Sequence, residues 1–161
     1  ASTILGGGMG SRLFEEIREK RGLSYSVSSF NGAFLDTGYI GVTGSCSPRN
    51  IQQVLDLAVG ETKRMYEDLV DEKELDRARQ QLVSQTLFNQ ESTMSRMMYL
   101  AESNFYWQRF ISVQEIVDQL EQITPEGILE VCRKYLQNKP LCAATVGPIR
   151  LSLRSMLPQR F

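Results

Sequence analysis

The chain has 161 residues, a mass of 18.3 kDa, a hydrophobic share of 42% and a formal net charge of -1. That length suits one domain, and that apolar share is enough for a packed core. A charge balance near zero gives no electrostatic basis for binding nucleic acid or an anionic membrane surface, and no apolar run approaches the length of a membrane span.

In chain order, the first signal is a glycine turn, Gly6-Gly7-Gly8-Met9-Gly10, followed by a short charged helix. Ser11 stands at the cap position, and Leu13, Phe14 and Ile17 form one apolar face. Lys20 and Arg21 suit the negative end of that helix, and Gly22 closes it. Leu23, Tyr25 and Val27 then alternate with serines, which predicts a half-buried strand with these three on one face. Asp36-Thr37-Gly38 is turn chemistry, and Tyr39 to Cys46 suits a pleated surface, so the two strands are expected to form an antiparallel hairpin. Gly41 and Gly44 mark a bulge or the close approach of another segment.

Helical patterns follow. Ser47 and Pro48 open the first, whose stripe is Ile51, Val54, Leu55, Ala58, Met65 and Leu69. Asp71 with Glu74 resembles a capping box and starts the second, through Leu75, Ala78 and Leu82 toward Gln90. Ser92 or Thr93 begins a third, with Met94, Met97, Met98, Ala101 and Phe105 on one side. Ser112 with Glu115 starts a short fourth containing Ile116, Val117 and Leu120. Thr124-Pro125 starts a fifth through Ile128, Leu129, Cys132 and Leu136. Lys139-Pro140 ends it, and Leu141 to Val146 reads as a last apolar strand. Helix, hairpin, run of helices and strand define an α+β domain with helices packed on one face of an antiparallel sheet. The expected division is a domain over residues 1–148 and a basic tail over 149–161, solvated by default, with Arg150, Arg154 and Arg160.

Several features carry competing readings. The glycine turn before a helix is a phosphate cradle in form, but it lacks a Gly-Lys-Ser/Thr ending and no strand precedes it. A structural turn, or backbone that approaches substrate, is the better reading. The three cysteines, Cys46, Cys132 and Cys142, are odd in number and widely spaced. They form neither a disulfide framework nor a zinc cluster, and they fit buried thiols in a reducing compartment. The methionine cluster reads as core, with an adaptable peptide-binding wall as the alternative. Phe105, Tyr106 and Trp107 read as buried against the sheet or a neighbouring domain. The charged run from Glu61 to Arg79 reads as a solvated surface. Taken singly, Arg18 is a solvated helix charge paired with Glu15 or Glu19, and Tyr25 a half-buried strand residue. Lying seven positions apart across the helix-to-strand turn, they are also placed to aim at one spot.

Leu5 to Gly8, Ser11 to Phe14, and Arg18 to Tyr25 together resemble the signature of the C-terminal-type domain of the pitrilysin/insulinase zinc peptidases, a family that includes the mitochondrial processing peptidases. The likeness continues in Gly38 and Gly44, in Ser47-Pro48-Arg49-Asn50, and in Val146-Gly147-Pro148. It spans nearly the whole chain and implies a processing-peptidase/LuxS-like metallohydrolase fold, here with the front of the domain absent.

What the resemblance implies about chemistry is specific. The family binds zinc through a His-x-x-Glu-His motif and a distant glutamate in an N-terminal domain of the same fold. This chain contains no histidine. It is therefore expected to hold no metal, with the zinc of the complete enzyme bound by the other domain. The family's substrate-facing arginine and tyrosine correspond to Arg18 and Tyr25, which would hydrogen-bond the peptide backbone around the scissile bond. The non-catalytic partner subunit of the processing peptidases carries a long glycine-rich insertion at the opening turn, and this chain has the short form. The expected function is the substrate-facing, non-zinc domain of a zinc metalloendopeptidase acting on peptides or unfolded segments. The alternative is a non-catalytic interaction or scaffold subunit of the same fold. Expected partners are the N-terminal zinc-binding domain, a peptide substrate and a second copy of the chain. The expected location is the cytoplasm, with the mitochondrial matrix as the alternative.

Overall fold

The computed structural model describes residues 1–148; the basic tail expected from residue 149 onward lies outside the described residues. A short helix α1 (Ser2–Gly6) leads through the glycine turn to a π-helical segment (Phe14–Glu19). Strands β1 (Ser24–Ala33) and β2 (Gly38–Cys46) follow, then a 3-10 turn (Pro48–Asn50) and helices α2 (Ile51–Glu67), α3 (Glu72–Glu91), α4 (Thr93–Trp107), α5 (Val113–Glu121) and α6 (Pro125–Tyr135). This is an α+β fold in which the two strands form an antiparallel sheet.

Local chemistry explains most of the boundaries. Asp71 and Glu74 make the expected reciprocal capping box. Ser92, Ser112 and Thr124 each accept a hydrogen bond from the backbone amide three residues on. Ser47 behaves differently: its carbonyl oxygen, not its side chain, accepts the Asn50 amide, because a 3-10 turn intervenes before α2. Ser11 also departs from its expected cap. Its hydroxyl donates backward to the Gly8 carbonyl oxygen at 2.6 Å, tying off the glycine turn.

The core lies where α1, the π-helical segment, α2, α6 and the start of α3 meet beneath β1. Leu5, Leu13, Ile17, Met65 and Cys132 are fully enclosed, with Ile4, Val27, Val70, Leu75, Ile128 and Leu136 around them. Each such side chain contributes about 1.5–3 kcal/mol relative to exposure. Leu69, expected on the stripe of α2, is exposed, and Val70 takes the core position. The helix has already ended, because Asp68 is extended (φ -109, ψ 147), so the helical period no longer applies.

Two further expectations are corrected. Leu141–Val146 forms no strand, and Val146 is fully exposed. An extended segment gains ladder hydrogen bonds only beside another strand; among the described residues the sheet has β1 and β2 alone. Cys142, expected to be buried there, is consequently exposed. Met94, Met97, Met98, Phe105, Tyr106 and Trp107 are exposed among the described residues, where α4 packs mainly along α3, so neither the core reading of the methionines nor burial of the aromatics against the sheet holds. At Gly41, expected to mark a bulge or a close approach, the close approach holds. A Cβ there would lie 2.5 Å from the ring of its cross-strand neighbour Phe30. The bulge lies elsewhere, at Tyr25.

Candidate functional site

Arg18 and Tyr25 meet at the junction between the π-helical segment and β1. The helix turn is wide: the Lys20 amide donates to the Glu15 carbonyl oxygen, five residues back, at 2.9 Å. Such wide turns are rare and concentrate at functional sites. The chain then reverses at Gly22, whose φ of +59 favours glycine. The Gly22 amide donates to the Arg18 carbonyl oxygen and the Leu23 amide to that of Ile17, both at 2.9 Å. The reversal is thus fastened to the same residues that carry the site.

Tyr25 leaves the expected face of its strand. Ser24 pairs with Cys46 and Ser26 with Ser45, so Tyr25 is the extra residue of a β-bulge. The Ser24 hydroxyl shares its proton between the Ser26 and Ser45 carbonyl oxygens, each at 2.7 Å, which holds the bulge. A bulge breaks strict alternation and re-aims a side chain. Leu23 and Val27 therefore still pack on the core, while Tyr25 turns outward and is 81% exposed. Among the described residues, its hydroxyl has no hydrogen-bond partner and its ring contacts Arg18.

The Arg18 guanidinium carbon lies 4.6 Å from the centroid of the Tyr25 ring and 4.6 Å from that of Phe14. Both distances are within cation–π range. Its expected ionic partners are engaged elsewhere or held at a distance. Glu15 accepts Lys20 at 3.1 Å, and Glu16 takes Lys20 and Arg21. Glu19 approaches the Arg18 Nε at only 4.0 Å. The arginine side chain is 35% exposed.

A framework the sequence reading did not isolate holds this junction in place. Arg12 makes a bidentate pair with Glu74 of α3, with Nε to Oε1 at 2.9 Å and Nη2 to Oε2 at 2.8 Å. Arg12 is 8% exposed and Glu74 21%. The Arg12 guanidinium is the main cause holding the Glu74 carboxyl below its ordinary range. In the sequence Glu74 reads only as part of a capping box within a charged run, and nothing local points across 62 residues to its partner. Gln81 of α3 donates to the Gly7 carbonyl oxygen at 2.7 Å, and Ser29 of β1 to that of Ser2 at 2.6 Å. The glycine turn is thereby tied to α3, and α1 to β1.

The described residues form no metal site. Histidine is absent from the sequence, and among the described residues no group of three or more His, Cys, Asp or Glu side chains is placed to hold an ion. Burial pushes the Cys46 and Cys132 thiols up, away from the thiolate form that binds metals. Among the described residues, no helix is long and apolar enough to cross a membrane.

This arrangement belongs to a known class. Residues 1–82 match the family described as the peptidase M16 inactive domain, and the chain belongs to that family. An uncharacterized zinc protease of Streptomyces coelicolor is 36% identical over 149 residues, covering 92% of this chain and 32% of that protein. An uncharacterized zinc protease of Rickettsia bellii is 32% identical, covering 92% of this chain and 36% of its own length. The chain thus spans about a third of the curated relatives it matches. Among solved structures, a peptidase M16 inactive domain from Pseudomonas fluorescens superposes with a TM-score of 0.75 at 26% identity, covering 84% of this chain and 32% of that one.

Proposed function

We propose that this domain faces the substrate in a zinc metalloendopeptidase that cleaves peptides or unfolded segments, and that Arg18 and Tyr25 donate hydrogen bonds to the peptide backbone. The metal of the complete enzyme belongs to another domain, for which this chain supplies no ligands. Peptide hydrolysis builds negative charge on the carbonyl oxygen, and preformed donors lower that barrier. Arginine donates without losing its charge at any working pH. Tyrosine donates from a stiff ring carried by a strand.

The observation that supports this reading is the placement of Tyr25. A large aromatic side chain stands on a bulge, mostly exposed, with its hydroxyl unengaged among the described residues and its ring against Arg18. A purely structural tyrosine in this strand would follow Leu23 and Val27 into the core.

The test is turnover of an unstructured peptide by the complete enzyme carrying Tyr25→Phe or Arg18→Lys, with thermal unfolding measured alongside. Tyr25→Phe keeps the ring and its contact with Arg18 but removes the donor. Arg18→Lys keeps the charge and loses the planar fork. Removing one oxyanion donor typically costs about 10²–10³ in turnover. The expected loss here is about ten- to a hundredfold, because other groups in the complete site share the stabilisation, with the melting temperature nearly unchanged. Near-normal turnover in both variants would leave an exposed tyrosine stacked on a solvated arginine, with no part in hydrolysis. A complete protein without hydrolytic activity would instead be a scaffold of the same fold.

A further inference from the structure

We infer that Phe14 is a positioning residue for Arg18, setting the direction in which its donor fork meets the substrate. The inference rests on the substrate-facing reading of Arg18 and adds a residue to it.

Arg18 has a long, flexible side chain, and no carboxylate grips it closely: its nearest ionic contact is Glu19 at 4.0 Å. What locates the guanidinium is a pair of rings, with Phe14 and Tyr25 each centred 4.6 Å from its central carbon. The two rings are not equivalent. Tyr25 stands out on its bulge and is 81% exposed, so it is itself free to move when a peptide arrives. Phe14 is half-buried, and its chain neighbour Leu13 and the nearby Ile17 are wholly enclosed in the core. It also shares the π-helical segment with Arg18, so the spacing between them is fixed by the backbone. Phe14 is therefore the fixed member of the pair. It holds the guanidinium by its face and leaves the N–H edge for the substrate. Without it, Arg18 is free to swing toward Glu19.

The experiment uses the complete enzyme and compares Phe14→Leu, which keeps apolar bulk, with Phe14→Tyr, which keeps the ring. Cation–π contacts at partly exposed sites are worth about two- to fivefold in an equilibrium. Phe14→Leu is expected to lower kcat/KM about two- to fivefold with little change in melting temperature, and Phe14→Tyr to restore it. In an Arg18→Ala background, Phe14→Leu should have no further effect. The Arg18 Nε proton, displaced upfield in the NMR spectrum by the two rings, should move toward its ordinary position in Phe14→Leu. Losses of equal size with arginine and with alanine at position 18, or an Nε resonance that does not move, would overturn the positioning role while leaving the substrate-facing reading intact. Normal turnover in Arg18→Ala would overturn that reading and the catalytic use of the pair, even if the resonance moves.

Discussion

Gly6 shows how tightly single residues are constrained beside the site. A Cβ at that position would stand 2.3 Å from the Ser29 backbone nitrogen and 2.9 Å from the Ser28 carbonyl carbon. Both are backbone atoms of β1, and neither has a rotamer through which to yield. Gly6→Ala must therefore push α1 off the strand that carries Tyr25. The expected cost is about 2–4 kcal/mol, the upper range for overpacking. Chemical denaturation checks the magnitude. Gly10 is the internal control: its nearest neighbour to an added Cβ is the Arg77 Nη1 at 3.6 Å, an ordinary contact at the end of a flexible side chain. Gly10→Ala should cost far less than Gly6→Ala.

The turn that leads into the π-helical segment is tied to α3 by the Arg12–Glu74 pair. Removing one partner of a mostly buried ion pair costs about 3–5 kcal/mol when burial is complete. Glu74 retains some exposure, so Glu74→Gln should cost about 2–3 kcal/mol at neutral pH. The pH dependence follows from the direction of its shift. The folded carboxyl titrates below its ordinary value of 4.5, chiefly because it accepts hydrogen bonds from Arg12. The pair's contribution is therefore complete above the unfolded value and is lost as pH falls through the depressed folded value. The stability gap between the wild type and Glu74→Gln should be constant above about pH 5 and close progressively below pH 4. Equilibrium unfolding at several acidic pH values measures it. A gap that persists unchanged at pH 2 would mean that the carboxylate charge is not what holds the two elements.

At the scale of the molecule, two properties stand out. The chain contains no histidine, so the purified chain is expected to show no zinc-dependent proteolysis. Hydrolysis of an unstructured peptide that a chelator abolishes and zinc restores would contradict this. Among the described residues, the α3–α4 pair exposes Phe88, Met94, Met97, Phe105 and Trp107, and the sheet has only two strands. Exposed apolar patches and unpaired strand edges favour association. The chain by itself should self-associate at high concentration, and Met97→Lys with Phe105→Lys should reduce that tendency in sedimentation velocity. A compact monomer at all concentrations would show that this surface is tolerated by water.

Local chemistry made much of this protein legible. The hairpin, the capping box at Asp71 and Glu74, and the caps at Ser92, Ser112 and Thr124 are all consequences of residue type at short range. The juxtaposition of Arg18 and Tyr25 was also readable, because Gly22 forces a reversal between them. Tertiary structure decided the rest. Tyr25 faces outward because pairing with β2 inserts a bulge that alternation in a single strand cannot reveal. Leu141–Val146 finds no strand partner among the described residues, because a strand is a property of two segments, not one. The methionines and aromatics of α4 are exposed because a helical stripe states which residues share a face, while burial depends on what packs against it. Phe14 and Glu74 acquire their partners, Arg18 and Arg12, through side-chain geometry at 4.6 and 2.8 Å. Sequence determines which residues are able to make such contacts; only the folded backbone brings the charges, rings and donors close enough for their short-range forces to act.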